Sequence, residues 1–221
     1  MQIYDGWAGG TAGAEVYVAR TQTPLGRLHV ASVADGVCIA AFEEQADCIA
    51  SRLQRMFGSF FRVATGDPLD VGARLRGYFD GDCDALCDVP VAAPATPMQR
   101  RVWSLVRDLA PGTLTTYAAL AHRLRMPRAQ RAVGVCLASN PVPLFVPCHR
   151  VVAASGGLAS HPGGTARKDW LLRHEGALGA ADPATARDVR LRLGRAVQRR
   201  LSPGDTVGIV APPGLAGSQA R

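Results

Sequence analysis

Lysine is almost absent. Of the 25 basic side chains in this 221-residue chain only Lys168 is a lysine, so the net charge of +7 is an arginine charge. A basic surface suits a polyanionic partner or forms a solvated face, and charge alone does not choose between them. No apolar run reaches the roughly 18 residues that a membrane span needs. The start, Met1-Gln2-Ile3-Tyr4-Asp5, has no basic segment followed by an apolar one, so no secretory leader is expected. The six cysteines (Cys38, Cys48, Cys83, Cys87, Cys136 and Cys148) follow no framework spacing. Reduced thiols in a cytoplasm are therefore expected, not a disulfide scaffold. Cys83-x-x-x-Cys87 has no second pair at a zinc-site spacing, so neither metal nor cofactor is expected. What is present is ordinary for a globular protein: 48% apolar and 19% charged residues, in a chain long enough for one domain or two small ones.

Residues 1–13 are rich in Gly and Ala and read as a loose N-terminus. Short apolar runs at Glu15–Arg20, Leu28–Ser32 and Val37–Phe42 are separated by Pro24-Leu25-Gly26 and Asp35-Gly36, the pattern of an antiparallel meander. Ile49, Leu53, Met56 and Phe57 recur at helical spacing over Ala46–Phe57, and a second helix is predicted over Leu69–Phe79. Pro90–Pro97 reads as an extended linker and places a domain boundary. Beyond it, Thr96-Pro97 is a helix start, and Met98, Val102, Leu105, Val106 and Leu109 form one apolar stripe that Pro111-Gly112 ends. Thr116 caps a second helix to Leu124. A third runs from Arg128 to Ser139 and closes at Asn140-Pro141. Two helices across a tight turn make a helix-turn-helix pattern.

The third helix is an unusual major-groove reader. Arg128, Arg131 and Val135 share a face with small Ala132 and Gly134, and few side chains there would bond base edges. Small residues with one or two arginines suit close approach to a minor groove, where an inserted side chain replaces an unstacked base. A helix packed through Ala and Gly, with its arginines in solvent, is the alternative.

Downstream lies Pro147-Cys148-His149-Arg150, after the strand-like apolar run Pro143-Leu144-Phe145-Val146. A thiolate is a strong nucleophile, and adjacent positive charge is expected to lower the thiol pKa. The bland alternative is a buried structural cysteine with a chance histidine neighbour.

Several segments are informative together: Thr96-Pro97-x-Gln99 with Val102-Trp103, Thr116-Tyr117-x-x-Leu120-Ala121, Arg131-Ala132-Val133-Gly134, Asn140-Pro141-Val142-Pro143, Pro147-Cys148-His149-Arg150-Val151-Val152 and Leu171-Leu172-x-His174-Glu175-Gly176. In this combination the chain closely resembles the O6-alkylguanine-DNA alkyltransferases (methylated-DNA–protein-cysteine methyltransferases), strongly over about 90–178 and more weakly over 14–90. The resemblance implies an N-terminal α/β domain with a ribonuclease-H-like sheet over 14–92. It also implies a mainly α C-terminal domain of winged-helix, helix-turn-helix type over 93–178. The activity implied is repair by direct reversal: O6-alkylguanine, and O4-methylthymine with it, is flipped from duplex DNA and its alkyl group passes irreversibly to Cys148. His149 would act as base through a water, Glu175 would orient the imidazole, and Tyr117 would donate to the guanine ring. The DNA contacts implied are Arg131, as the finger filling the gap, with Thr116, Arg128, Ala132 and Gly134. The pocket would be lined by Asn140, Pro143, Arg150, Val151, Ala159, His161, Pro162 and Lys168. The partner implied is double-stranded DNA carrying O6-alkylguanine, bound by a monomer away from any membrane.

The chain departs from the family at the loop after the cysteine, where Ala159-Ser160-His161-Pro162-Gly163-Gly164 replaces a Gly-x-Tyr-Ser-Gly-Gly pattern. Ala159 adds a methyl, His161 replaces the tyrosine that flanks the base, and Pro162 has no N–H to offer the guanine O6. Losing a donor at a reacting oxygen costs roughly a few kcal/mol of transition-state stabilisation. A non-catalytic protein that binds alkyl lesions is therefore the competing expectation. A sequence-reading transcription regulator and a cysteine hydrolase fit less well. A second departure is the arginine-rich tail, residues 179–221, with a helix predicted from Asp182 to Leu201 and a strand over Val207–Ala211. It reads either as a DNA anchor or as a solvated amphipathic helix. The loop chemistry predicts that the double substitution His161→Tyr with Pro162→Ser speeds methyl transfer; single-turnover kinetics on a methylated duplex measure this, and an unchanged rate removes the loop from the pocket.

Overall fold

A computed structural model describes residues 14–58, 61–154, 158, 164–178 and 207–208. The loop at 159–163, with Ala159, His161 and Pro162, the predicted tail helix and the N-terminal thirteen residues lie outside them. The predicted meander is present as β1 (Ala14–Thr23), β2 (Gly26–Val33) and β3 (Gly36–Phe42), paired antiparallel. In the first turn Thr23 Oγ1 accepts the Leu25 N–H at 3.1 Å and donates to the Gly26 carbonyl at 2.6 Å. Helix α1 (Asp47–Phe57) follows, then β4 (Phe61–Ala64), which joins β1 in parallel and makes the sheet order β3-β2-β1-β4. Four residues with exposed Arg62 and Val63 carry no alternating signal, so β4 was invisible to pattern reading.

Both faces of this sheet are covered, which is why β3 is buried along its whole length. On one face Val16, Ile39 and Ala41 pack against Ile49, Leu53 and Phe57 of α1. On the other, Leu28, Val30, Val37 and Phe42 meet Val71, Leu75 and Tyr78 of α2 (Val71–Phe79).

The second half comprises α3 (Pro97–Arg107), β5 (Thr113–Thr116), α4 (Tyr117–Arg123), α5 (Gln130–Ala138), a 3-10 turn over Cys148–Arg150, β6 (Val151–Val152), α6 (Thr165–His174) and β7 (Val207–Gly208). Thr96 opens α3 with a full capping box: its hydroxyl accepts the Gln99 N–H, and the Gln99 side chain accepts the Thr96 N–H at 2.8 Å. Trp103 Nε1 donates to the Cys136 carbonyl at 2.8 Å and ties α3 to α5. Strand β5 pairs parallel with β6 and antiparallel with β7, so the described part of the predicted tail strand is real. Helix α5 starts at Gln130, two residues later than expected, because Pro127-Arg128 form a turn closed by the Ala129 N–H to the Met126 carbonyl at 2.8 Å. The run Pro143–Val146 is not a strand. It is a tight buried loop, with Leu144 at φ 75° and the Val146 N–H returning to the Val142 carbonyl at 2.9 Å. Prolines at 141, 143 and 147 lack the N–H groups that a strand ladder would use.

The two halves share one core. A single apolar cluster joins Leu28, Val37 and Leu75 to Val102, Trp103 and Val146. Pro90–Ala92 is extended as expected but lies along the β3 edge. Val37 N–H donates to the Pro90 carbonyl at 2.9 Å, and Ala92 N–H donates to the Val37 carbonyl at 2.8 Å. Ala40 N–H reaches the Pro141 carbonyl at 2.8 Å, so the second half completes the edge that the first leaves open. Arg167 of α6 adds a clamp. Its Nε donates to the Leu25 carbonyl at 3.1 Å, its guanidinium lies 3.9 Å over the Phe42 ring, and it pairs with Glu44. Among the described residues no helix is long and apolar enough to cross a membrane.

Thr96→Ala removes the acceptor for the Gln99 N–H, and the expected loss is about 1 kcal/mol of unfolding free energy. Urea denaturation checks it, with an unchanged denaturant slope.

Candidate active site

The loop that replaces the expected strand presents Cys148. Asn140, at the exit of α5, uses its whole amide to build it: Oδ1 accepts the Val142 N–H at 3.1 Å, and Nδ2 donates to the Val146 carbonyl at 2.9 Å and to Cys148 Sγ at 3.2 Å. The sulfur is thus fixed and given a donor by the residue that shapes its loop. Cys148 is 4% exposed. Burial raises its thiol pKa; the Asn140 donor, the Lys168 charge and its own backbone N–H oppose this without reversing it. The expected lowering by His149 and Arg150 does not occur, because both of those side chains are engaged with Glu175. At rest the sulfur is a protonated thiol.

Glu175 is the hub of that second group. His149 Nε2 lies 2.9 Å from Glu175 Oε1, Arg150 Nη2 donates to Oε1 at 2.8 Å, and Arg150 Nε donates to Oε2 at 2.8 Å. Burial disfavours the carboxylate, yet the Arg150 guanidinium and the imidazole hold its pKa well below the usual range. An ionised carboxylate only accepts, so His149 carries its proton on Nε2 and presents Nδ1 as the basic nitrogen. Burial lowers the His149 pKa against the pull of Glu175, leaving a neutral imidazole. Arg150, expected to line the pocket, turns inward; it also donates to the Leu109 carbonyl at 2.5 Å and supports Glu175 from behind.

The turn that places Glu175 needs glycine twice. Gly176, at φ 74°, ends α6 in the left-handed region. Gly112, at φ 75°, approaches so closely that a Cβ there would stand 2.8 Å from the Glu175 carbonyl oxygen.

Three more expected residues gather at the sulfur. Lys168 is 1% exposed, its Nζ donates to the Val151 carbonyl at 2.5 Å, and burial lowers its pKa to about 8 while Cys148 opposes that shift. Val151 is buried and pairs with Thr115 in the β5–β6 ladder. Tyr117 opens α4, half-buried; burial and then the nearby Cys148 raise its hydroxyl pKa, and a Cβ on Gly134 would stand 3.9 Å from its ring. Pro143 is buried in the loop and serves its shape.

The expected DNA contacts divide. Arg131 and Ala132 are exposed on α5, with Val135 at 64% exposure beside them, while Arg128 is exposed in the preceding turn. Gly134 is half-buried towards Tyr117. Thr116 is 2% exposed, and its hydroxyl accepts the Ala119 N–H at 3.0 Å. It therefore caps α4 and positions Tyr117, and it does not face outward. Among the described residues no group of three or more His, Cys, Asp or Glu is placed to hold a metal ion.

The family profile described as "6-O-methylguanine DNA methyltransferase, DNA binding domain" matches residues 97–177. A methylated-DNA–protein-cysteine methyltransferase of Salmonella typhimurium is 36% identical over 165 residues, 71% of this chain and 93% of the relative. The chain belongs to the methylated-DNA–protein-cysteine methyltransferase family. A Shigella flexneri member is 42% identical over 117 residues, 53% of this chain and 68% of that one. The crystal structure of Mycobacterium tuberculosis OGT in complex with DNA superposes with a TM-score of 0.61 at 28% identity, covering 81% of this chain and 98% of that one.

Pattern reading within the family's C-terminal motifs missed one member of the site. Tyr78, from α2 in the first half, donates its hydroxyl to Glu175 Oε1 at 2.8 Å. The two residues are 97 positions apart, and nothing local to either one signals the contact.

Lys168 gives a pH-dependent test. Between about pH 8 and the ordinary lysine value the unfolded chain holds a proton that the folded chain has released, so stability rises with pH across that window. Lys168→Met abolishes the rise, which is at most about 3 kcal/mol. Urea denaturation of both proteins at about pH 7 and about pH 10 measures it, the variant gaining in relative stability at the lower pH.

Proposed function

We propose that this protein repairs alkylated DNA by moving the alkyl group of O6-alkylguanine, and of O4-methylthymine, onto its own Cys148, once per molecule. The observation that carries this reading is a buried sulfur held by Asn140 beside the His149–Glu175–Arg150 group, next to a helix that exposes Arg131 and Ala132. The relatives' names and the DNA complex of a family member support it.

The exposed face of α5 enters the minor groove, and Arg131 takes the place of the everted nucleotide, at a cost of roughly a few kcal/mol of unstacking. Arg128 and the backbone around Ala132 hold the strand. The everted base lies between the Tyr117 side and the loop carrying Cys148. His149 Nδ1 takes the thiol proton through a bridging water, and the ionised Glu175 stabilises the imidazolium. The thiolate attacks the alkyl carbon as the carbon–O6 bond breaks, and the bond's electron pair leaves with the base. Tyr117 donates to the departing purine. Lys168 lowers the cost of the buried thiolate while the lesion excludes water. The product is a thioether that water does not cleave, so the protein is consumed. This reading takes the protein as a monomer on double-stranded DNA in the cytoplasm. The strand order β3-β2-β1-β4 supports a ribonuclease-H-like first domain over 14–92, and the α4–α5 pair beside β5 and β6 supports a winged-helix second domain over 93–178.

The resting thiol needs a base before it can react, and the Ala159-His161-Pro162 loop differs from the family's; both favour slow transfer with little tolerance of bulky groups. Incubation with a duplex holding O6-methylguanine is expected to add one methyl group to the Cys148 peptide by mass spectrometry and none to Cys148→Ser. An unmodified Cys148 in protein that still binds the lesion instead supports a lesion-binding role without transfer.

A further inference from the structure

The carboxylate of Glu175 receives four donors, and one of them comes from the other half of the molecule. We propose that Tyr78 is a positioning residue for the His149–Glu175 pair, so that the first domain sets how strongly the relay histidine attracts its proton. This rests on the alkyl-transfer reading for its role, though not for its geometry.

Arg150 engages both oxygens of Glu175, through Nη2 to Oε1 and Nε to Oε2, each at 2.8 Å. Oε1 must then serve His149 Nε2 at 2.9 Å and the Tyr78 hydroxyl at 2.8 Å together. Beside an ionised carboxylate the phenol can only donate, and burial followed by the Glu175 charge keeps it protonated far above its ordinary range. Charge drawn towards Tyr78 is not available to His149. The phenol therefore tempers the carboxylate and helps to keep the imidazole neutral and able to accept a proton. It also fixes the oxygen to which the ring must bond.

The placement of Tyr78 is itself secured. It lies in the last turn of α2, 2% exposed, edge-on to Phe79 at 5.2 Å and to His174 at 5.2 Å between ring centroids. His174 stacks on Trp170 at 4.8 Å, and its Nε2 donates to the Tyr78 carbonyl at 2.6 Å. The end of α2 thus grips consecutive residues of the second half, His174 through its main chain and Glu175 through its side chain. Such a double contact holds the hydroxyl in register with the carboxylate.

Among the described residues the ionisable groups around this centre are as follows. His149 faces Glu175, Arg150 and Lys168, while Tyr78 faces Glu175, Arg150 and Cys83, with His174 against its ring. Glu175 is felt by Cys83 and Cys87 from the 82–88 segment, and Cys148 faces Asn140, Lys168 and Tyr117. Removing the Tyr78 hydroxyl alters the donor set of Glu175 while the ring packing stays.

The test is Tyr78→Phe in the full chain, with the His149 ring followed by long-range 1H–15N spectra against pH in the absence of DNA, its signals assigned by comparison with His149→Gln. The expected result is an upward move of the His149 titration midpoint by about half a pH unit or more, with Nε2 still protonated in the neutral form. A folded variant with an unmoved midpoint overturns the proposal. If Tyr78→Phe does not fold, 3-fluorotyrosine at position 78 decides: its more acidic hydroxyl donates more strongly and should move the midpoint down, and an unmoved midpoint again overturns the proposal. Methyl transfer to Cys148 in the same proteins is read separately. The acid limb of its rate profile should move up in Tyr78→Phe. A wild-type protein that transfers no methyl group while the ring titration still moves counts against the alkyl-transfer reading alone.

Discussion

The rest of the structure depends on one buried carboxylate. Glu175 is ionised in the interior only because Arg150 supplies a two-point countercharge and because His149 and Tyr78 satisfy what remains. The donors arrive on two separate pieces of chain, His149 and Arg150 on the 3-10 turn behind the cysteine and Tyr78 at the end of α2, while the Gly112 backbone closes on the main chain of Glu175. A buried charge tolerates no unpaired neighbour, so the carboxylate dictates how these pieces meet. The same arrangement explains why Arg150 points inward although it follows Cys148 and His149 directly in sequence.

Asn140 has the equivalent role on the other side of the sulfur. Its three bonds close a loop whose prolines forbid strand pairing, and the left-handed Leu144 is the local cost of that closure. The sulfur is presented by loop closure and feels the Lys168 charge from α6. Burial keeps it a thiol at rest and shields it from solvent. Lys168, buried with a pKa near 8, is a charge whose value to the site appears only when the sulfur ionises.

The edge of the first sheet shows why the halves are not independent bodies. Strand β3 would expose Val37 and Ala40 N–H groups, and these are taken by Pro90 and Pro141 of the following segments. The apolar cluster that continues across the junction, the Arg167 clamp and the Tyr78 contact make the first domain part of the site's support.

The sequence by itself determined the meander, the capped α3 and the α4–α5 pair, because periodicity, caps and turn residues are local signals. Cys148, His149, Asn140, Glu175 and Lys168 were legible as a set only through the family resemblance, which expects them in fixed order. Legibility ended where distance in sequence began. Short β4, with no alternation, was silent. Helix α5 starts two residues beyond the point that its proline signals, because a proline turn and a helix start look alike in sequence. The resemblance placed Thr116 among the DNA contacts and Arg150 in the pocket; Thr116 keeps the capping role that its place before α4 signals, buried, and packing turns Arg150 to a carboxylate. The direction of the thiol's pKa was decided by the tertiary structure alone: adjacent residues in the chain predict a neighbouring charge, but burial and the partner that claims that charge are set by the fold.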